Sequence, residues 1–190
     1  MKYNIIYADP PWNYDDKLKH KGGAERHYST MSTDDICAMK VADIAHDNAA
    51  LFIWGCWPKL FETQRVIKSW GFKYKTCAFI WVKVNKKTDV KQGSLFYDED
   101  MFDKFWGMGH WTRSNSEFCL LALRGKIKRQ AANINQIIYF PIREHSKKPD
   151  ETRDKIVQLI GDLPRIELFS RKTTPGWHVF GNEVTSDIQL

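Results

Sequence analysis

At 190 residues the chain is long enough for one domain with a full core, and its 43% hydrophobic and 27% charged content is that of a globular protein. It holds no apolar run near the ~18 residues of a membrane span, and Met1-Lys2-Tyr3-Asn4 leads into a short apolar stretch rather than a signal peptide, so a cytoplasmic setting with no membrane partner is expected. A net charge of +6 and a pI of about 9.1 favour a polyanionic partner. The four cysteines (Cys37, Cys56, Cys77, Cys119) are widely spaced without a Cys-x-x-Cys pair, which leaves zinc and redox motifs unsupported and free thiols expected.

In chain order, Ile5-Ile6-Tyr7-Ala8 reads as a buried strand, and Asp9-Pro10-Pro11-Trp12 stops it. Each proline fixes φ and lacks a backbone donor, so neither strand nor helix continues. Residues 13–30 are polar and read as a long loop of the functional kind. Ser32-Thr33-Asp34-Asp35 offers a cap and an acidic first turn for a helix to about Ile44. Ala49 to Gly55 is a continuous apolar strand. Leu60, Phe61, Val66, Ile67 and Trp70 fall at helical spacing, and Gly71 ends that helix. Phe72 to Val84 alternates as a strand, with Phe79 and Trp81 on one face. Residues 85–115 are irregular and rich in lysine and tryptophan. Glu117 to Leu123 and Ile137 to Phe140 read as strands. Pro149-Asp150-Glu151 opens a helix to Leu159, and Arg165 to Phe169 and Trp177 to Phe180 read as the last strands. Strands alternating with helices predict an α/β fold with a mostly parallel sheet flanked by helices.

The Asp9-Pro10-Pro11-Trp12 turn lies at the carboxyl end of a strand, where open α/β sheets bind ligands. Its prolines keep carbonyl acceptors and cannot donate. Acceptors beside an aromatic plate suit the exocyclic amino group of a flat base. The tetrapeptide resembles the catalytic motif of amino-group methyltransferases that act on adenine or cytosine in nucleic acid. The rest of the chain resembles the MT-A70 family of N6-adenine methyltransferases. The resemblance runs through Tyr28-Ser29-Thr30-Met31-Ser32, Trp70-Gly71-Phe72-Lys73 and Trp81-Val82-Lys83. It continues through Gly107-x-Gly109-His110-Trp111 with Glu117, the segment His145 to Glu151 with its Lys-Pro-Asp-Glu, Glu167-Leu168-Phe169-Ser170-Arg171, and Gly181-Asn182-Glu183.

What the resemblance implies is a single Rossmann-like methyltransferase domain over residues 1–190 in permuted motif order, the catalytic turn first and the cofactor strand near Glu167. No Gly-x-Gly-x-x-Gly fingerprint supports a nicotinamide or flavin. Asp9, Pro10, Pro11 and Trp12 are the expected catalytic residues, with Trp12 stacking on the base. S-adenosylmethionine is the implied methyl donor, with Asp9, Pro11, Lys148, Glu167, Phe169, Arg171, Asn182 and Glu183 on its site and Glu167 on ribose hydroxyls. The family's Arg-x-His-Asn loop is replaced by Arg171-Lys172-Thr173-Thr174-Pro175, so its His-Asn contacts are missing. Residues 13–30 and 85–115 are the expected substrate loops, with Trp12, Arg26, Tyr28, Lys83, His110, Trp111 and Arg113 on substrate. Arg26, Lys86, Lys87, Lys91, Arg113, Lys126, Lys128 and Arg129 are candidate phosphate contacts flanking the site. A chain without an RNA-binding accessory module suits a prokaryotic or phage DNA-modifying enzyme, helped by a second copy in gripping the duplex. An RNA adenine methyltransferase, an N4-cytosine methyltransferase and a non-catalytic nucleic-acid-binding partner subunit share enough of these features to remain alternatives.

Overall fold

The computed structural model describes residues 1–13, 30–85, 105–107, 111–143 and 147–190. The chain opens on strand β1 (Tyr3–Ala8), whose Ile5, Ile6, Tyr7 and Ala8 are all essentially buried because both faces of the strand are covered. Helix α1 (Thr33–Ala38) follows. Its first turn is capped reciprocally: Asp35 N–H donates to Ser32 Oγ at 3.1 Å, and Ser32 Oγ–H donates to Asp35 Oδ2 at 2.7 Å.

The single helix expected to run to Ile44 is broken. Met39 takes an extended conformation (φ −60°, ψ 133°), and a short helix α2 (Val41–Ile44) resumes beyond it. Strand β2 (Ala45–Gly55) begins earlier than its apolar run and passes through a 3-10 turn, Trp57–Lys59, into helix α3 (Leu60–Ser69). Strands β3 (Lys73–Val84), β4 (Ser116–Arg124) and β5 (Ile137–Pro141) come next. Helix α4 (Glu151–Ile160) precedes the last two strands, β6 (Arg165–Leu168) and β7 (His178–Phe180).

These seven strands form one sheet in the order β5-β3-β4-β2-β1-β6-β7. β1 pairs in parallel with β2 and β6, β3 with β5, and β6 with β7; β4 alone runs antiparallel, between β2 and β3. The fold is therefore the expected mostly parallel α/β domain. Period-two alternation sorts the strand residues between two cores. On one face Ile36, Val41, Val66, Ile67 and Trp70 of the first three helices and the α3 terminus pack with Ile6, Leu51, Ile53 and Phe118. On the other, Ile156 and Ile160 of α4 pack with Ile5, Tyr7, Phe52, Phe79 and Trp81. Trp70 Nε1–H donates to Ile36 O at 2.8 Å and ties the end of α3 to α1. No disulfide joins the four cysteines, and Cys119 is fully buried.

The antiparallel strand corrects one expectation. Because β4 runs against its neighbours, the segment after it leaves the sheet at the edge where β2 begins: Arg124 lies opposite Ala49, and Lys126 N–H donates to Asn48 Oδ1 at 2.7 Å. Lys126, Lys128 and Arg129 thus sit about 20 Å from the sheet edge that carries Asp9, the length of the six residue steps from Phe118 to Arg124. They do not flank the Asp9 turn.

Candidate functional site

β1 and β6 are parallel neighbours, with Tyr7 opposite Glu167 and Ala8 opposite Leu168, so their carboxyl ends bring Asp9 and Phe169 together. Beyond β1 the chain makes a tight turn in which Trp12 N–H donates to Pro10 O at 2.9 Å. Met31 N–H donates to Pro11 O at 2.8 Å, and Asn13 N–H donates back to Met31 O at 3.2 Å. Each proline carbonyl is therefore already engaged once and keeps one lone pair. Phe169 is the one non-glycine with positive φ (62°) among the described residues. A bulky side chain held there at the end of the neighbouring strand is strain of the kind that clusters at functional sites.

A chain of alternating charges runs from the turn. Lys148 Nζ contacts both oxygens of Asp9 at 2.8 Å and Glu117 Oε2 at 3.2 Å, and Lys83 Nζ contacts Glu117 Oε1 at 2.6 Å. The Lys148 side chain is 7% exposed. Burial by itself would lower its pKa, but the Asp9 and Glu117 carboxylates outweigh that and hold it above the ordinary lysine value. Burial pushes the Asp9 carboxyl up; Lys148 pulls it back, and Glu117 and Glu167 push it up again. Burial acts on Glu117 in the same sense, but there Lys148 and Lys83 together prevail and hold it below its usual value.

A second cluster stands on the other side of Asp9. Arg153, from the first turn of α4, grips Glu167 through Nε–Oε2 at 2.8 Å and Nη2–Oε1 at 2.6 Å, and lies 5.6 Å from the Tyr7 ring centroid. Asp150 makes no capping hydrogen bond to α4. Its carboxylate instead receives Arg143 at 2.6 Å, Lys172 at 2.9 Å and Arg153 at 3.0 Å. Burial would raise its pKa, but Arg143 and Lys172 drive it well below the carboxylate range. Farther along, Arg171 Nε–H donates to Glu183 Oε1 at 2.8 Å.

Two cavities meet here. The larger, about 600 Å³, has Pro11, Met39 and Phe180 as apolar wall and Arg171, Asn182 and Glu183 as polar wall. The smaller, about 230 Å³, is walled by Lys148, Asp150, Arg153, Glu167 and Lys172. Asp9, Phe169, Arg171 and Glu183 belong to both. Every residue expected on the cofactor site therefore lines one cavity or the other. The break in the predicted first helix is what lets Met39 join that wall.

The substrate candidates fare unevenly. Trp12 is not an open plate: it is 5% exposed, its Nε1–H donates to Trp54 O at 3.1 Å, and Trp54 Nε1–H donates in turn to the Tyr7 hydroxyl at 2.7 Å. The indole is a buried strut under the turn, and the expected stacking on a base is corrected accordingly. Lys83 reaches the charge chain, while Trp111 (100% exposed) and Arg113 stand in solvent. Arg26, Tyr28 and His110 lie outside the described residues, as do Lys86, Lys87 and Lys91.

Arg153 and Asp150 were missed as site residues. The available signal was a charge within an otherwise apolar stripe: Thr152, Ile156 and Ile160 are buried, and an arginine among them on the sheet-facing side needs a buried partner.

Comparison with known proteins agrees with this geometry. A profile of the MT-A70 family matches residues 3–183. The chain is 30% identical to the Type II methyltransferase M.MunI from a Mycoplasma species, over 96% of this chain and 78% of that protein. It is 28% identical to an N(6)-adenosine-methyltransferase MT-A70-like protein of Drosophila melanogaster and 25% identical to the human N(6)-adenosine-methyltransferase catalytic subunit METTL3. In both, the match takes 96% of this chain but only 27% and 28% of the longer relative. An Asp-Pro-Pro-Trp turn whose Asp9 lines both cavities, in a chain matched almost end to end, places the protein in the MT-A70 family of N6-adenine methyltransferases.

Proposed function

We propose that this chain transfers a methyl group from S-adenosylmethionine to the N6 amino group of adenine in DNA. The observation that carries the reading is Asp9 on the wall common to both cavities, with the prolines of its turn lining the larger one, so that a base held at Asp9 would meet a donor bound in them.

The linings of the two cavities suit S-adenosylmethionine in their donor set. Pro11, Met39 and Phe180 offer apolar surface to a flat heterocycle, Glu183 and Glu167 offer acceptors to ribose hydroxyls, and Lys172 and Arg171 offer positive charge to a carboxylate. When bound, S-adenosylmethionine supplies an electrophilic methyl group. Among the described residues no cluster of metal-ligating side chains is present.

The chain's own work is on the amine. The N6 lone pair of adenine is delocalised into the ring, which makes it a poor nucleophile. The Asp9 carboxylate and the remaining lone pair of a proline carbonyl can accept the two N–H groups and localise the lone pair toward the methyl donor. Lys148, gripping both Asp9 oxygens, fixes the carboxylate's position before substrate arrives, so little reorganisation is left for the reaction itself. The raised pKa of Asp9 suits it to receive the proton lost after transfer. A base in a duplex must be flipped to reach the turn, at a cost of a few kcal/mol.

DNA is preferred to RNA because the relative named a Type II methyltransferase is matched over most of its own length, the adenosine methyltransferases over about a quarter of theirs. The adenosine in those names favours RNA as the second reading. The deciding experiment is transfer of labelled methyl to duplex DNA, single-stranded DNA and RNA in parallel, with nucleoside analysis. N6-methyladenine in DNA is expected. Label confined to RNA, or N4-methylcytosine, overturns the substrate. No label, with S-adenosylmethionine still bound, overturns the catalytic reading in favour of a partner subunit. Asp9→Ala is expected to abolish transfer.

A further inference from the structure

The sheet edge that carries Asp9 has a second side, away from the two cavities. Those cavities lie over β1, β6 and β7; across β1 the edge continues through β2, β4 and β3. There Gly55, the last residue of β2, lies opposite Phe118 of β4. A Cβ on Gly55 would fall 2.6 Å from the Phe118 ring, so the glycine leaves room for that ring at the strand end. Two residues on, Trp57 covers the ring edge-on, with centroids 5.1 Å apart at 63°. Its Nε1–H donates to Ser116 Oγ at 3.0 Å, and Pro58 stiffens the 3-10 turn that carries it. The indole has thus spent its polar atom on the protein and packs on Phe118, and still remains 49% exposed.

An aromatic held that firmly, open to solvent and one strand over from the catalytic turn, is a preformed surface. Ser116 precedes Glu117, which reaches Asp9 through Lys148, so the indole and the reacting carboxylate belong to one connected end of the sheet. Lys83, at the end of β3, pairs with Glu117, and its carbonyl accepts from Phe105 N–H at 3.2 Å. In the segment between β3 and β4, Trp106 (75% exposed), Trp111 and Arg113 are exposed. The net charge of +6 draws a polyanion to the protein, and base–aromatic stacking tolerates any sequence.

We propose that Trp57 is a stacking platform for an unstacked base of the nucleic-acid strand, beside the adenine delivered to Asp9. The proposal rests on the reading of this chain as a nucleic-acid methyltransferase. By holding a neighbouring base, the indole lowers the cost of keeping the strand open at the turn. It contacts substrate but none of the reacting atoms, so it governs affinity for the strand and leaves the step at saturation nearly untouched.

The test compares wild type, Trp57→Ala and Trp57→Phe for binding two labelled single strands of equal length and charge, one carrying adenines and one abasic. Calorimetry with S-adenosylmethionine and the maximal rate at saturating strand serve as controls. Trp57→Ala is expected to bind the adenine strand about tenfold more weakly, Trp57→Phe to recover most of the loss, and all three to bind the abasic strand alike, with cofactor affinity and maximal rate unchanged. Equal affinity of wild type and Trp57→Ala for the adenine strand overturns the proposal while leaving methyl transfer standing. An equal loss on the abasic strand, or a parallel loss of cofactor binding, also overturns it, by making Trp57 a backbone contact or a prop of the fold. A wild type that binds S-adenosylmethionine but neither strand overturns the functional reading together with this one.

Discussion

Replacing Lys148 with methionine keeps most of the side chain's volume and removes only its charge. In the native protein that charge lies against the two Asp9 oxygens at 2.8 Å and Glu117 Oε2 at 3.2 Å, with the three side chains 7%, 26% and 18% exposed. Without it two carboxylates face each other around a methyl group. Breaking a buried pair from one side costs about 3–5 kcal/mol; here the lower end applies, since both acids keep some contact with water and Glu117 retains Lys83 at 2.6 Å. For a domain of this size each kcal/mol moves the melting temperature by about 2–4 °C, so Lys148→Met is expected to melt about 6–12 °C lower. Asp9, losing the group that holds its pKa down, then takes up a proton at higher pH, and the acid limb of methyl transfer moves upward. The assay is differential scanning fluorimetry on Lys148→Met and on the same protein with Glu117→Gln added. The second change removes one of the stranded charges and is expected to return part of the lost stability. A single variant melting within about 2 °C of wild type, or a double variant less stable than the single, would refute this account of what Lys148 does.

Two further perturbations probe the neighbouring clusters. Arg153→Lys keeps the charge on Glu167 but loses the two-pronged grip, so S-adenosylmethionine affinity is expected to fall about tenfold by calorimetry while Arg153→Met falls further and also melts several degrees lower; an Arg153→Lys variant with wild-type affinity and melting temperature would sink the positioning role. On acidification the signs differ by residue. Glu117 and Asp150 titrate below their ordinary 4.5 and 3.8, so the stability they contribute is complete above those values and is lost as pH falls through their lowered folded pKa values, whereas Asp9, raised, contributes in the opposite sense. The melting temperature is therefore expected to drop from about pH 4.5 downward, and Glu117→Gln to lower it at neutral pH while flattening that drop; an unchanged acid slope in the variant would remove Glu117 from the balance.

Most of the fold is legible in the chain because its strands are apolar on both faces and end in residues that cannot continue them. Ile5 to Ala8 stops at two prolines, and the α3 helix stops at a glycine with φ of 80°. Local signals fail where the deciding partner is distant. Nothing within Ser32 to Ile44 marks the break at Met39, which takes an extended conformation against a cavity wall completed by residues of β7 and the segments that follow β6 and β7. Trp12 reads as a stacking plate because it stands beside the acceptors of the turn. It is buried because Trp54, 42 residues on, offers a carbonyl to its indole N–H. Trp57 gave no motif at all, and its interest arises only once Phe118 and Ser116 are brought under it from another strand.

The direction of β4 explains why the charge chain could not be read from strand ends alone. In an all-parallel sheet only carboxyl termini of strands reach the ligand edge, and a sequence search for site residues looks there. β4 enters the sheet at that edge, so Glu117, its second residue, stands level with Asp9, while the basic run that follows β4 is carried to the far side. One reversed strand thereby supplies the acid that keeps Lys148 charged, and Lys148 keeps Asp9 in place. Were Glu117 at the other end of its strand, burial would act on Lys148 with only Asp9 to oppose it, and the lysine's pKa would sit lower than it does.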